Sequence, residues 1–534
     1  MKGIKIFAFV LSAMMLGSCT DFLDLDPKTA QTEENFFQDR KDAFAALMGI
    51  YEPLRSDFGQ SYHPYAMVSD IMSDDVYPGG GGSADMLTWQ NVARFKAQPQ
   101  EDTPLAMWKK GYRGVGRANQ LLAKFDQIQF KTSEQEDAEN FKGEALFLRG
   151  HYYFELARFY GNIPLSLEPL AADNWQGVEL TSADEVYAQI AADMLAAIPM
   201  MRDSRFGDTQ LGRLTKWAAM SEMVKVFQYY TGYYNKTELP VAGGGSFTLT
   251  DAIEMAESVV NESGHTLLED YATLFTAEGD FSSEVIFEIP FTSSGSGEWN
   301  DTKLGNIQCQ MSGPRGHNGN MLLQGWGFGI PTHSLYAEFE AGDERLTASI
   351  ITGEQLLNDT PNLEASYTNT GYFTFKYTTH INRQAESNPD LNWPQNYHYI
   401  RLADVMLMAA ELNLKAGNTA AAVDQVNMVR SRAGLADVSS VDLDGIYHER
   451  RVELALEGHR YWDLLRRGVD YAKSQIDVTN YEMRAPSIAG KPATGDVGSP
   501  SDFEVNFDAA KKGLFPIPQS ERDLNPNLKQ NDGY

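Results

Sequence analysis

Between Tyr399 and Gly468 the chain is written as consecutive helices, none of which can bury its apolar face alone. In Arg401–Ala416, the residues Leu402, Val405, Met406, Ala409 and Leu412 recur at helical spacing and form one apolar face. Gly417-Asn418 ends that helix, with Asn418 placed to cap the next. The second helix, Thr419 to Ala433, sets Ala422, Val423, Val426 and Val429 on one side before Gly434 stops it. Two helices and a tight turn within roughly 34 residues match the tetratricopeptide period. A third helix is expected from about Tyr447 to Arg467, striped with Leu454, Gly458, Tyr461, Trp462 and Leu465. Its other face carries Glu457–Arg460, Asp463–Arg466 and Asp463–Arg467 at three- and four-residue spacing. Exposed pairs of this kind supply about 0.3 to 0.5 kcal/mol each, too little to offset a mid-helix glycine costing about 1 kcal/mol. Gly458 therefore predicts close packing against a neighbour.

Helical spacing also appears from Glu33 to about Leu54, over Met107–Phe125 and Phe141–Tyr160, and again at Ser182–Ile198 and Thr215–Tyr234. The helix before Gly161-Asn162-Ile163-Pro164 has a stripe of Ala145, Leu148, Tyr152, Leu156 and Phe159. Helix pairs at several places fit a curved array of tetratricopeptide-like units, although the Trp-Leu-Gly signature of that repeat is missing. Two stretches break the pattern. Asp57 to Pro104 is non-periodic and holds Gly79 to Gly82 with Tyr62, Tyr65, Tyr77, Trp89 and Phe95. From about Gly243 to His398 the chain turns to Gly, Ser, Thr and Asn, with Glu284–Ile289 and Tyr372–Tyr377 reading as short strands. The expected fold class is mainly α: a scaffold of helix pairs carrying a loop-rich lobe with short β-strands.

Catalytic signatures are absent: no His-Glu-x-x-His, no Gly-x-Ser-x-Gly, no phosphate-binding loop, no Cys-x-x-Cys and no dinucleotide fingerprint. Asp74-Asp75 could serve a glycosidase only if two acids flanked a bond, and adjacent acids are expected by accident among 73 acidic residues. His459 reads as packed or solvated rather than as a ligand. No cofactor and no metal ligand set is expected. What remains is aromatics on loops. A sugar ring presents flat C–H faces and a rim of hydroxyls, which call for Trp or Tyr platforms beside amide, acid and Arg side chains. The candidate ligand-binding residues are Trp89 and Trp326, then Tyr77, Trp299 and Trp393, with Arg94 and Asn91 beside Trp89, and Gln324 and Asn318 near Trp326. For each tryptophan the alternative is that the ring packs its loop onto the scaffold. For Trp108, Trp217 and Trp462, in helical patterns, core packing is the reading.

Lys2 and Lys5 followed by the apolar run Ile6–Leu16 form a secretory signal too short to span a membrane, which needs about 20 residues. Leu16-Gly17-Ser18-Cys19 resembles a lipobox, with cleavage before Cys19 and acylation of that residue. Cys309 is then left without a partner, so no disulfide is expected. The formal net charge is −29, and removing Lys2 and Lys5 with the signal makes it −31. Such a surface repels phosphate backbones, so nucleic-acid binding is not expected. A mature chain of 516 residues (534 minus 18) with 43% hydrophobic content can bury a large core.

Three motifs carry a family resemblance. Glu449-Arg450-Arg451-Val452-Glu453-Leu454-Ala455-Leu456-Glu457-Gly458-His459-Arg460-Tyr461-Trp462-Asp463-Leu464-Leu465-Arg466 resembles the C-terminal helix of the SusD/RagB family of Bacteroidetes surface lipoproteins. The tail from Leu514-Phe515-Pro516-Ile517-Pro518 to Gly533-Tyr534 is similar to that family's closing motif, and Phe147–Pro164 to one of its helices. Thr20-Asp21-Phe22-Leu23-Asp24 also resembles its mature start. The resemblance implies a non-enzymatic, lipid-anchored outer-membrane protein that binds glycan and delivers it to a SusC-like TonB-dependent transporter. It divides the chain into a signal peptide (1–18), a lipidated tether (19–32), an N-terminal helical region with a long binding loop (33–242), the loop-rich lobe (243–398) and a C-terminal helical region and tail (399–534). The alternatives are a binding lid for a peptide importer and a surface glycoside hydrolase.

Overall fold

The computed structural model describes residues 36–55, 62–170, 175–294, 304–384, 390–477 and 503–534, and the backbone of 487–488 and 491–492. Among the described residues, eight α-helices occupy the first half: α1 (Arg40–Arg55), α2 (Tyr65–Asp70), α3 (Leu87–Ala93), α4 (Asp102–Lys124), α5 (Gln135–Tyr160), α6 (Ala183–Ala197), α7 (Lys216–Tyr233) and α8 (Leu249–Glu262). The lobe adds short helices α9 (Ile307–Ser312), α10 (His333–Glu338), α11 (Arg345–Ser349) and α12 (Gly353–Asp359). The C-terminal part contributes α13 (Leu402–Lys415), α14 (Thr419–Arg432), α15 (Leu443–Glu453), α16 (Arg460–Arg466), α17 (Val469–Ile476) and α18 (Gln519–Leu524).

The long helices pack in succession, α1 on α4, α4 on α5, α5 on α6, α6 on α7, α7 on α8, α8 on α13 and α13 on α14. This is the expected array of helix pairs, and it explains why α5 is buried around most of its circumference rather than along one stripe. With α4 on one side and α6 on the other, even its Arg149 is inside, held by Asp193 at 2.7 Å. One link was expected to be loop. Helix α8 begins at Thr248, whose hydroxyl accepts from the Asp251 amide while the Asp251 carboxylate accepts from the Thr248 amide, a capping box. Its buried Ala252, Ala256 and Val259 fill the place between α7 and α13. The stretch 57–104 likewise contains α2 and α3, too short to show a helical period.

The strands are short and pair antiparallel in twos: β1 (Val76–Gly79) with β5 (Phe328–Pro331), β2 (Leu239–Pro240) with β3 (Ser246–Phe247), β4 (Val285–Ile289) with β8 (Tyr397–Arg401), and β6 (Ile350–Thr352) with β7 (Tyr372–Thr374). One continuous apolar core runs from α1 through the helix array into the lobe, with a small satellite around Leu322, Ile351, Leu356, Leu363 and Phe373.

The segment expected to be one helix over 447–467 is two. Leu456 and Gly458 have φ of +64° and +80°, so the chain turns between α15 and α16. A Cβ on Gly458 would stand 2.7 Å from the Ala66 backbone of α2, which is the close neighbour the glycine predicted. Nor is the charged face exposed. Arg401 donates to Glu284 and Glu453 at 2.8 Å and to Glu457 at 2.9 Å, while Lys376 reaches Glu457 at 2.8 Å. Arg345 joins Asp343, Glu449 and Glu453, and Arg432 bridges Glu284 and Glu453. Arg450 ties Asp404 to Asp463, and Arg466 ties Asp463 to Glu411. Arg451 and Arg460 clamp the Asp74-Asp75 pair from the other half of the chain. His459 is buried beside them, its imidazole pushed by burial down to about 3 and so neutral.

Burial pushes the Glu457 carboxyl up, and the charges of Arg401 and Lys376 outweigh it and hold it at about 2, below its ordinary 4.5. Glu453, Glu411 and Asp404 are held low in the same way by their cations. Such carboxylates stabilise the fold fully above about pH 4.5 and lose that contribution as pH falls towards 2, because the unfolded chain then binds more protons. Asp70, raised by burial and by Asp75, works in the opposite sense. The melting temperature should therefore fall steeply between pH 4.5 and 2, and less steeply in Glu457→Gln; equal slopes would refute the assignment. Arg401→Met, which removes a cation shared by the three buried carboxylates of Glu284, Glu453 and Glu457, should cost about 3 to 5 kcal/mol in denaturant unfolding. A loss under about 1 kcal/mol would show that the cluster is not a support.

Candidate functional site

The two loop regions selected from sequence are brought together by β1 and β5. Val76 pairs with Pro331, Tyr77 with Ile330 and Gly79 with Phe328, and the Gly80 amide extends the contact to the Gly327 carbonyl at 2.7 Å. Beside this ladder lies a surface centred on Trp326. Its indole is half-buried, with Tyr62 edge-on at 5.4 Å between ring centroids. Gly327 holds it there: φ is +72°, and a Cβ would stand 2.2 Å from the Ser366 hydroxyl. Arg315 donates to the Trp326 carbonyl at 3.0 Å while its guanidinium lies against Gly81. The Asp85 carboxylate accepts from the Gly81 amide at 2.7 Å. Gln324 and Asn318 are exposed nearby in sequence. The half-buried Trp326 ring, the Arg315 guanidinium and the Asp85 carboxylate thus occupy one rim, part of the mixture that a hydroxyl-rich ligand requires.

Most of the individual residues chosen from sequence are not on that rim. Trp89 is 0% exposed: its Nε1 donates to His63 Nδ1 at 2.8 Å and its ring meets Phe328 edge-on at 5.6 Å. It pins α3 under β5 and offers no face to a ligand. Trp393 is also buried, donating to Gln310 Oε1 at 3.2 Å, and Tyr77 is buried with its ring against Phe503. For these three the packing alternative holds, because the loops share the core of the helices. Asn91 is half-buried and donates to Glu101 Oε1 at 2.5 Å. Arg94 donates to the Tyr367 hydroxyl at 3.1 Å and lies over Phe503, so both brace the loop. Trp299 and Cys19 lie outside the described residues. Trp108, Trp217 and Trp462 are buried, as their helical setting predicted.

Sequence reasoning passed over Arg315, although a signal existed: it is the sole charged residue between Lys303 and Glu338. Asp74 and Asp75 are too heavily engaged for acid–base work, each carboxylate being paired with Arg451 or Arg460. A separate groove of about 720 Å³ lies between α4 and α18, lined by Tyr112, Arg113, Arg117, Leu170 and Leu524 among others. Two of its hydroxyls, those of Tyr112 and Tyr153, are already bonded to the Pro164 and Ser166 carbonyls.

Trp89→Ala should lower stability by about 3 to 5 kcal/mol in chemical denaturation, the cost of emptying a buried tryptophan site. A shift under about 1 kcal/mol would return Trp89 to the list of exposed rings.

Comparison with known proteins gives the same architecture. The family described as "SusD family" matches residues 283–534, and the one described as "Starch-binding associating with outer membrane" matches 21–227. SusD-like protein P25 of Formosa agariphila is 26% identical, covering 100% of this chain and 99% of its own. A SusD-like protein of Bacteroides ovatus is 25% identical over 86% of this chain and 82% of its own. Among solved structures, a laminarin-binding SusD-like protein superposes with a TM-score of 0.78 at 29% identity, covering 93% of this chain and all of its own. Surface glycan-binding protein A of Bacteroides thetaiotaomicron, solved with laminarihexaose, gives 0.77 at 25% identity, covering 92% and 99%. With one family model matching each half and the helix array shared along its length, the chain is similar to SusD-family proteins over almost all of its extent.

Proposed function

We propose that this protein binds glycan at the cell surface and passes it to a SusC-like TonB-dependent transporter, with the Trp326 face as its sugar platform. The half-buried Trp326 ring, held between two glycines and flanked by Tyr62 and Arg315, carries the reading. Laminarin-type oligosaccharides are the first ligands to test, since two solved relatives at 25% and 29% identity are described with laminarin or laminarihexaose. The engaged Asp74-Asp75 pair supports binding without hydrolysis. No described helix is long and apolar enough to cross a membrane. Acylation at Cys19 would supply the anchor, and a lipid-anchored binder cannot itself carry an oligosaccharide through a bilayer, so a pore must accompany it.

Calorimetric titration with laminarihexaose should show Trp326→Ala losing roughly 1 to 3 kcal/mol, by analogy with rings stacked under nucleobases, or about five- to hundredfold in affinity. Its melting curve should change little. Unchanged affinity removes Trp326 from the site, and binding of peptides in place of glycans favours the peptide-importer reading. Cys19→Ala should leave the membrane fraction; retention there, with no acyl label on the wild type, would overturn the anchor.

A further inference from the structure

Glu288 on β4 and His398 on β8 are cross-strand partners, so their side chains share one face of the two-stranded sheet. The ladder slips its register between Phe287 and Glu288, an irregularity of the kind that re-aims a side chain. The turn before β4 brings a third group, and Asp280, Glu288 and His398 each place one donor atom within 4.8 Å of the other two. His398 is 1% exposed, walled by Phe275 and Tyr377, and neither ring nitrogen makes a hydrogen bond. Its Nε2 lies 3.4 Å from Glu288 Oε1, which is the separation of two ligands sharing a tetrahedral ion about 2.0 to 2.1 Å from each.

The surroundings are those of a ligand set. Glu288 is fixed by the Asn396 amide, 2.9 Å from Oε1, and by the Phe281 amide, 3.1 Å from Oε1 and 2.9 Å from Oε2, so Oε2 carries the fewer bonds. Asp280 gives one oxygen to Arg383, whose guanidinium also donates to the Pro394 carbonyl at 2.9 Å. Arg383 offsets one of the two carboxylates, and the second has no full cationic partner besides the imidazole. The other His–carboxylate group, His151 with Glu155 and Glu222, is unlike this one, since its imidazole already bonds Glu222 at 2.8 Å.

We infer that Asp280, Glu288 and His398 form a site for a divalent transition metal, with zinc as the best-fitting ion and water as the fourth ligand. One imidazole and two carboxylates suit a borderline ion rather than calcium, which takes six to eight oxygens. The ion would tie β4, β8 and the 280-turn together, fastening the lobe to the strand that leads into α13. The competing account is a protonated His398 paired with Glu288, which needs no metal.

The test is metal content. The full-length protein, stripped with chelator and dialysed against zinc, should hold about one zinc per chain and melt at higher temperature than the stripped form, whereas calcium should leave the melting temperature unchanged. His398→Gln and Asp280→Asn should each lose stoichiometric zinc and the zinc-dependent rise. Asp280 is partly exposed, so if His398→Gln fails to fold, Asp280→Asn decides. No stoichiometric zinc in the wild type, or zinc retained by the variants, overturns the site and leaves the protonated pair.

Discussion

Everything else in this molecule leans on the buried ion cluster around residues 449–466. Its charges come from four directions: the strand end at Arg401, the lobe at Arg345 and Lys376, helix α14 at Arg430 and Arg432, and the early turn at Asp74-Asp75. Taking charges out of water costs about as much as their mutual attraction returns, so the net gain from such a cluster is small. Its value is in the alternatives it forbids. A slip of α15 by one residue would leave a carboxylate or a guanidinium buried without a partner, and each such group costs several kcal/mol. The apolar core can tolerate many arrangements, whereas the ion cluster tolerates one.

The helix array was largely legible because long amphipathic helices write their period into the sequence. Helices over 183–197, 216–233, 402–415 and 419–432 fall within the stretches their stripes marked, and those over 102–124 and 135–160 start five and six residues ahead of theirs. Where reading failed, the cause was local. Helix α8 follows Gly243-Gly244-Gly245, which drew attention from the Thr248–Asp251 cap and its stripe of Ala252, Ala256 and Val259. The charges of residues 457–467 misled for another reason. Acid and base three residues apart look the same whether water or a buried arginine surrounds them, and the partners that decide it, Arg401 and Lys376, lie far away in the chain.

The candidate site rests on a convergence of loops rather than on the individual residues chosen from sequence. Aromatic loops at 62–95 and around 326 do converge, through the β1–β5 ladder, on one surface. Which ring faces outward depends on where the core ends, and that is a three-dimensional property. Trp89 and Trp326 both sit among amides in sequence. One lies in a seven-residue helix over His63 and Phe328, and the other on a glycine-bounded ribbon at the edge. Glycine contributes to the asymmetry between them: Gly325 and Gly327 press the backbone against its neighbours, and the indole between them stays half-buried at the margin of the core.

The position of the ion cluster near the end of the chain gives folding an order. Asp75 meets Arg451 376 residues later, and Asp74 meets Arg460 at a separation of 386. Helices α4 to α7 can pack on one another as soon as each is complete, since their contacts are with neighbours in sequence. The turn at Asp74-Asp75, and with it the base of the β1–β5 ladder, has no cations to close upon until the final hundred residues arrive. A chain emerging from its amino end therefore stays open at the β1–β5 ladder and closed along its spine, and shuts with its last helices rather than its first.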